Sequence, residues 1–572
     1  MIPIKTALVR LVLLTLLLPG SGALRAEVKL PAIFGDHMVL QQGLKLPVWG
    51  TAAPGETVTV AVGTETAKAT ADANGHWRVD LPPIAGASAP LTMTVTGTNK
   101  LTFSDVLIGD VWVCSGQSNM GFSLGGGMTF GGVNDSATVV AAANDPQLRL
   151  FEVAKADAID PQSDTKGSWV LCTPETAAPF SAVGYLFGHE LRQALNRPIG
   201  LIQSAYGGTP AQAWTSLSGL EKEPALQPYV DEVNRHKANF AQASADYPAK
   251  MAAYQQKVAA FRQSDAAKAD AKILRAWQQA VAAAKAAGQN PPPRPAPGHR
   301  PPMPPPTPDG GPRAPTVLFN AMIAPVIPYA IKGVAWYQGE NNHTEGKDYR
   351  TIFGNMIRDW REKWGEGDFP FVYVQLANFK GNGPIQNWPY VRESQLKTLA
   401  LPNTGMAVAV DVGNPENIHP TDKQDVAHRL VLAARHVAYG QNLVYSGPIY
   451  DAMQVTGNAI RVTFTQPGGG LIVGSAPWVP PGQQPVPTDK LAGFEIAGAD
   501  KHFVAADAKI DGNAVVVSSP SVPAPVAVRY DWANTPRGNL YNKEMLPASP
   551  FRTDEWDDPA AAGKIEAEPA TE

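Results

Sequence analysis

Four short apolar runs punctuate the middle of this chain, Val111-Trp112-Val113, Gly200-Leu201-Ile202, Gly333-Val334-Ala335-Trp336 and Met406-Ala407-Val408-Ala409-Val410, with helix-like segments between them. A strand with one wet face alternates apolar and polar residues; a continuous apolar run reads as a strand buried on both faces. Such strands belong to a parallel sheet covered by helices, an α/β architecture whose ligands sit beyond the carboxyl ends of the strands. Chemistry is therefore expected in the segments that follow each run.

The 572 residues are too many for one core, since domains mostly span about 50 to 250 residues. Residues 27–104 alternate in short runs between turn signals such as Ala53-Pro54-Gly55 and Ala73-Asn74-Gly75, which predicts an N-terminal β domain. The α/β region is expected in two parts, 105–216 and 316–440, split by an insertion at 217–315. There Tyr247, Met251, Tyr254, Val258 and Phe261, and then Leu274, Trp277 and Val281, recur at helical spacing, which predicts a helical hairpin. A proline-rich run from Pro291 to Pro315 follows and is expected to be extended or mobile. Residues 441–558 return to short β runs, including Ala459-Ile460-Arg461-Val462-Thr463-Phe464 and Ala514-Val515-Val516-Val517, and predict a C-terminal β-sandwich; 559–572 read as a disordered tail.

Residues 1–26 have the form of a cleaved export signal: Lys5 and Arg10, an apolar run to Leu18, then Pro19, Gly20 and small residues to Ala26. The run is shorter than the roughly 20 apolar residues of a spanning helix, so a periplasmic or secreted protein with no membrane contact after cleavage is expected. The formal charge of −4 offers no broad basic field for nucleic acid or anionic lipid. Cys114 and Cys172 are the two cysteines; an oxidising compartment would let them pair, while the apolar run ending at Cys114 suits a buried free thiol equally. No CxxC, HExxH or other metal-ligand spacing occurs, and no metal or cofactor is expected.

The segments after the four runs carry reactive residue types. Gly116-Gln117-Ser118-Asn119-Met120 puts a serine on a tight turn, where its hydroxyl projects into the cleft and nearby N–H groups can face a developing oxyanion. Asn417-Ile418-His419-Pro420 puts a histidine just before a helix whose apolar face is Val426, Leu430, Val431, Ala434 and Val437, with Thr421 and Gln424 as the expected capping box. Serine and histidine act together only when the imidazole can take the hydroxyl proton and return it to the leaving group. Tyr206-Gly207-Gly208-Thr209 and Trp336-Tyr337-Gln338-Gly339-Glu340-Asn341-Asn342 add glycine N–H groups and a glutamine amide.

In this order, Cys114-Ser115-Gly116-Gln117-Ser118-Asn119-Met120, Tyr206-Gly207-Gly208-Thr209, Trp336-Tyr337-Gln338-Gly339-Glu340-Asn341 and Asn417-Ile418-His419-Pro420 resemble the sialate O-acetylesterase family of SGNH hydrolases. The likeness extends to Phe34-Gly35-Asp36-His37-Met38-Val39-Leu40-Gln41-Gln42 and Asn320-Ala321-Met322-Ile323-Ala324-Pro325. It implies the three-layer SGNH fold, flanked here by N- and C-terminal β domains, and cofactor-free hydrolysis of an O-acetylated saccharide through an acetyl-enzyme. By position it implies Ser118 as nucleophile, His419 as base, and the Ser118 N–H, Gly208 N–H and Gln338 side chain as oxyanion donors. The acid of the family's triad falls on Glu416, three residues before the histidine, with Asp411 a weaker candidate. Acetylated hemicellulose such as xylan or xyloglucan is an alternative to sialic acid. A non-catalytic carbohydrate-binding protein and a thioesterase or lipase are the competing classes.

Overall fold

The computed structural model describes residues 27–126, 132–286, 295, 298–299, 301–381, 387–474 and 489–556. The expected signal at 1–26 and tail at 559–572 lie outside these residues, as does part of the proline-rich run.

One strand organises the molecule. Along Lys100–Gly116 the first residues alternate in exposure and everything from Val106 onward is buried. The alternating half pairs antiparallel with Ala87–Thr96, and the buried half pairs parallel with Ile199–Ala205 on one side and Gly333–Tyr337 on the other. The junction expected at 104/105 thus falls inside a continuous strand, where period-two patterning gives way to burial on both faces. Asp105 marks the change with a positive φ of 56°, its carboxylate bonded by the buried Arg149 and by His37.

The sheet runs in the order Thr404–Val408, Phe371–Gln375, Gly333–Tyr337, Lys100–Gly116, Ile199–Ala205, Asp145–Glu152 and Trp169–Cys172, parallel except for the last strand. Adjacent side chains on a strand point to opposite faces, and the tryptophans show what covers each. Trp112 meets Phe187 of the helix Ala182–Leu195 and Tyr439 just beyond the helix Lys423–Val437. Trp336, in register with Ser115 and so on the other face, packs on Phe353 and Trp360 of the helix Tyr349–Trp364.

The insertion forms two helices, Gln227–Gln263 and Asp265–Ala286, and only Tyr229, Val230 and Val233 of the first are buried. The expected stripes are half-buried, as suits two helices that cover one another rather than a core. From Ile449 onward two four-stranded antiparallel sheets enclose a separate core containing Ile460, Val462, Val515, Val517, Ile496, Val528 and Phe551. Cys114 and Cys172 are both buried free thiols, and burial pushes their pKa values up to about 12 and about 11. No helix among the described residues is long and apolar enough to cross a membrane.

Candidate active site

The central strand and its neighbours Ile199–Ala205 and Gly333–Tyr337 run parallel, so the loops after them emerge on one edge of the sheet. Gly116 makes the first turn. Its φ is 136°, and a Cβ there would lie 2.2 Å from the Tyr337 carbonyl oxygen, so neither backbone nor space admits a side chain. Gln117 N–H donates to that carbonyl at 3.0 Å, and the Gln117 carbonyl accepts from Met120 and Gly121, closing a tight turn around Ser118.

The loop after Thr404–Val408 brings His419 to that turn, with its Nε2 2.9 Å from Ser118 Oγ. The imidazole is 7 % exposed; burial, helped by the nearby Lys423 ammonium, pushes its pKa down to about 4. A neutral ring accepts the serine hydroxyl at Nε2, which is the state a general base requires. The loop is set by Asn417, whose Oδ1 accepts the His419 N–H at 3.0 Å, and by the following helix. That helix is capped by Asp422, which accepts the Asp425 N–H, and not by Thr421; Gln424, the other half of the expected box, donates to the Asn134 carbonyl.

Neither expected acid faces the imidazole. Glu416 is exposed and its carboxylate pairs with Lys380. Asp411 is buried between Arg429, which donates to its two oxygens at 2.5 and 2.8 Å, and the Tyr541 hydroxyl at 3.1 Å. A carboxylate at the third position before a histidine can reach the ring only if the loop turns inward; here Pro415 and Glu416 are the central residues of a turn closed by the Asn417 N–H on the Asn414 carbonyl at 3.0 Å, and the Glu416 side chain is exposed.

Gln338 is fully hydrogen-bonded. Its Nε2 donates to the Thr209 carbonyl at 3.1 Å and to Asn342 Oδ1 at 2.7 Å, and its Oε1 accepts the Tyr349 hydroxyl at 2.7 Å. Both amide hydrogens are engaged, which braces the side chain against the glycine loop. Donors remain on the backbone: among the described residues the N–H groups of Ser118, Gly207 and Gly208 have no protein acceptor. Gly207 lies directly against the serine, where an added Cβ would come within 3.3 Å of Ser118 Cβ. Gly208 has a φ of 72°, and its carbonyl accepts Arg313 Nε at 2.9 Å.

Behind the serine lies a buried polar group that the motif reading did not assign. Asn119 donates through Nδ2 to Glu340 Oε1 at 2.5 Å and to the Ile418 carbonyl at 3.0 Å, while its Oδ1 accepts Lys423 Nζ at 2.6 Å. Asn119 and Glu340 stand inside the quoted motifs; Lys423, in the first turn of a helix, gives no sequence signal of burial.

A family profile described as carbohydrate esterase, sialic acid-specific acetylesterase, matches residues 108–279 and 316–436, about half of the chain, and takes in all four loops. The chain belongs to this family. A rat protein named sialate O-acetylesterase is 31 % identical over 80 % of this chain and 83 % of its own length. A mouse protein of the same name is 28 % identical over 90 % of this chain and 92 % of its own. The crystal structure of a carbohydrate acetylesterase from Xanthomonas citri matches 93 % of this chain and 100 % of that one, with 37 % identity and a TM-score of 0.71. This carbohydrate esterase is thus a carboxylic ester hydrolase of O-acetyl groups, and its serine and histidine loops both fall within the family match.

Proposed function

We propose that the esterase works as an SGNH-type hydrolase that deacetylates a saccharide through an acetyl-enzyme on Ser118. The observation that carries this reading is the 2.9 Å contact between Ser118 Oγ and a buried His419 Nε2. Ser118 Oγ attacks the acetyl carbonyl carbon as its proton passes to Nε2, and the carbonyl oxygen becomes an oxyanion facing the Ser118 and Gly208 N–H groups. Collapse breaks the bond to the sugar oxygen, which takes the proton from Nε2. Water then attacks the acetyl ester and gives a proton to Nε2; the tetrahedral adduct collapses, the bond to Ser118 Oγ breaks as Oγ takes that proton back, and acetic acid leaves, ionising to acetate. His419 and Ser118 act as a dyad, since the Glu416 carboxylate is held by Lys380.

The names of the rodent relatives favour an O-acetylated sialic acid, and that of the Xanthomonas enzyme leaves the sugar open. The reading includes export, for which the apolar run to Leu18 and the small residues up to Ala26 speak. Acetate release from O-acetylated sialosides, xylo-oligosaccharides and xyloglucan fragments tests the whole, with release expected from at least one and abolished in Ser118→Ala. No acetate from any saccharide, together with equal turnover of aryl acetate and aryl octanoate, would replace this reading with a lipase.

A further inference from the structure

Asn119 follows the nucleophile in sequence, and the carbonyl it binds belongs to Ile418, the residue before the base. One side-chain amide therefore ties together two backbones, each one residue from a reacting group, across 299 positions of sequence. Its orientation is unique. With Nδ2 toward Glu340 and the Ile418 carbonyl and Oδ1 toward Lys423 Nζ, every contact pairs a donor with an acceptor; the flipped amide would set oxygen against oxygen and NH2 against an ammonium.

The groups that impose this orientation are costly. Lys423 is fully buried, with its ammonium 5.4 Å from the Phe122 ring centroid and 5.5 Å from that of Tyr337. Glu340 is also buried, and its Oε2 has no hydrogen-bond partner among the described residues. Two buried charges sharing an asparagine are a poor way to gain stability, because desolvation offsets most of their attraction. They do give one fixed geometry at the point where the serine turn, the Glu340 loop and the helix Lys423–Val437 meet.

We propose that Lys423, Asn119 and Glu340 form a positioning device that locks the histidine loop to the serine turn, with Lys423 also acting on His419 through its charge. The proposal rests on the Ser118 and His419 reading above. Lys423 faces Glu340, Asp422 and His419, and Glu340 faces Asn119, Lys423 and the phenols of Tyr337 and Tyr349. Burial pulls the Lys423 pKa down to about 7, and its positive charge adds to the burial that lowers His419. The sign follows: removing the cation raises the His419 pKa, so the protonated, inactive imidazole persists to higher pH.

The full-length enzyme is assayed with aryl acetate from pH 4 to 8, alongside labelling of Ser118 by a fluorophosphonate, which needs no acetyl substrate. Lys423→Met, close in volume and uncharged, is expected to move the acidic limb of both kcat/KM and labelling to higher pH. Asn119→Ala is expected to lower kcat about 10-fold to 100-fold with KM within about twofold, as for loss of a positioning contact. Glu340→Gln keeps Oε1 as acceptor and is expected to retain most of that activity, whereas Glu340→Ala follows Asn119→Ala. Variants are compared only where circular dichroism shows the wild-type fold, and Glu340→Gln serves as the isosteric test if the alanine variants fail it. An unmoved acidic limb in folded Lys423→Met, or wild-type kcat in folded Asn119→Ala, would overturn the proposal. Absence of Ser118 labelling in the wild type would instead overturn the underlying reading.

Discussion

The amide of Gln338 lies between Thr209, Asn342 and Tyr349, and truncating it leaves these buried partners short of hydrogen bonds. Each orphaned buried group costs about 1–3 kcal/mol, partly recovered by relaxation, so Gln338→Ala is expected to lose about 2–4 kcal/mol of folding free energy in urea titration. Unchanged stability with kcat down by about 100-fold would return the amide to an oxyanion role. Glu416 gives the opposite expectation. Its exposed pair with Lys380 contributes little, so Glu416→Gln should keep kcat/KM within about twofold while His419→Ala loses nearly all of it. Equal losses in the two variants would show that the loop swings the carboxylate onto the imidazole during turnover.

At the scale of elements, the helix Lys423–Val437 places chemistry through its first turn. Asp422 caps it by accepting the Asp425 N–H at 3.0 Å, and the next residue is the lysine that holds Asn119. Loss of an N-cap costs about 0.5–2 kcal/mol and frays the turn it closes. Asp422→Ala is therefore expected to reduce kcat at temperatures well below unfolding, with recovery in Asp422→Asn, since asparagine caps equally well. Activity that tracks only the fraction folded in thermal melts would mean that the cap stabilises the helix without steering the loop. The strand Lys100–Gly116 plays the matching part for the serine: its buried half fixes where Gly116 ends, and Gly116 fixes the turn.

The whole molecule is held together by a buried seam between the α/β sheet and the C-terminal strands. Arg392, with no exposed surface, donates to the carbonyls of Leu376 and Ala377 on the sheet side and of Ala533 and Asn534 on the other. Gln375 meets Ser549, Arg552 pairs with Glu393, and Tyr541 reaches the Asp411–Arg429 pair beside the histidine loop. Removing the guanidinium leaves the Leu376 and Ala533 carbonyls without a donor, while Ala377 keeps the Trp388 indole N–H and Asn534 the Phe379 N–H. It also takes a cation from beside the buried Asp531 carboxyl, whose pKa burial already raises to about 7. Arg392→Met is expected to cost about 3–5 kcal/mol and to lower a shared unfolding transition in calorimetry. Two separate wild-type transitions, the lower one unmoved by the substitution, would show that the C-terminal strands fold independently of the site.

The α/β architecture, the insertion and the loops that carry Ser118 and His419 were legible in the residues, because burial on both faces of a strand writes itself as an apolar run and the loops after such runs face one edge. The tightness of the turn that carries Ser118 has a reason only the structure supplies: no side chain fits at position 116. Which way side chains turn was not legible. Gln338 looks like a free donor until Thr209, 129 residues away, is seen to claim it, and Glu416 looks like a triad acid until Lys380 holds it outward. Nothing in the sequence marks Lys423 for burial, which follows from the meeting of three segments distant in sequence: the serine turn, the Tyr337–Glu340 loop and the start of the helix Lys423–Val437. Local patterning determines where strands, helices and turns form; hydrogen-bond partners far along the chain decide what each polar side chain in them does.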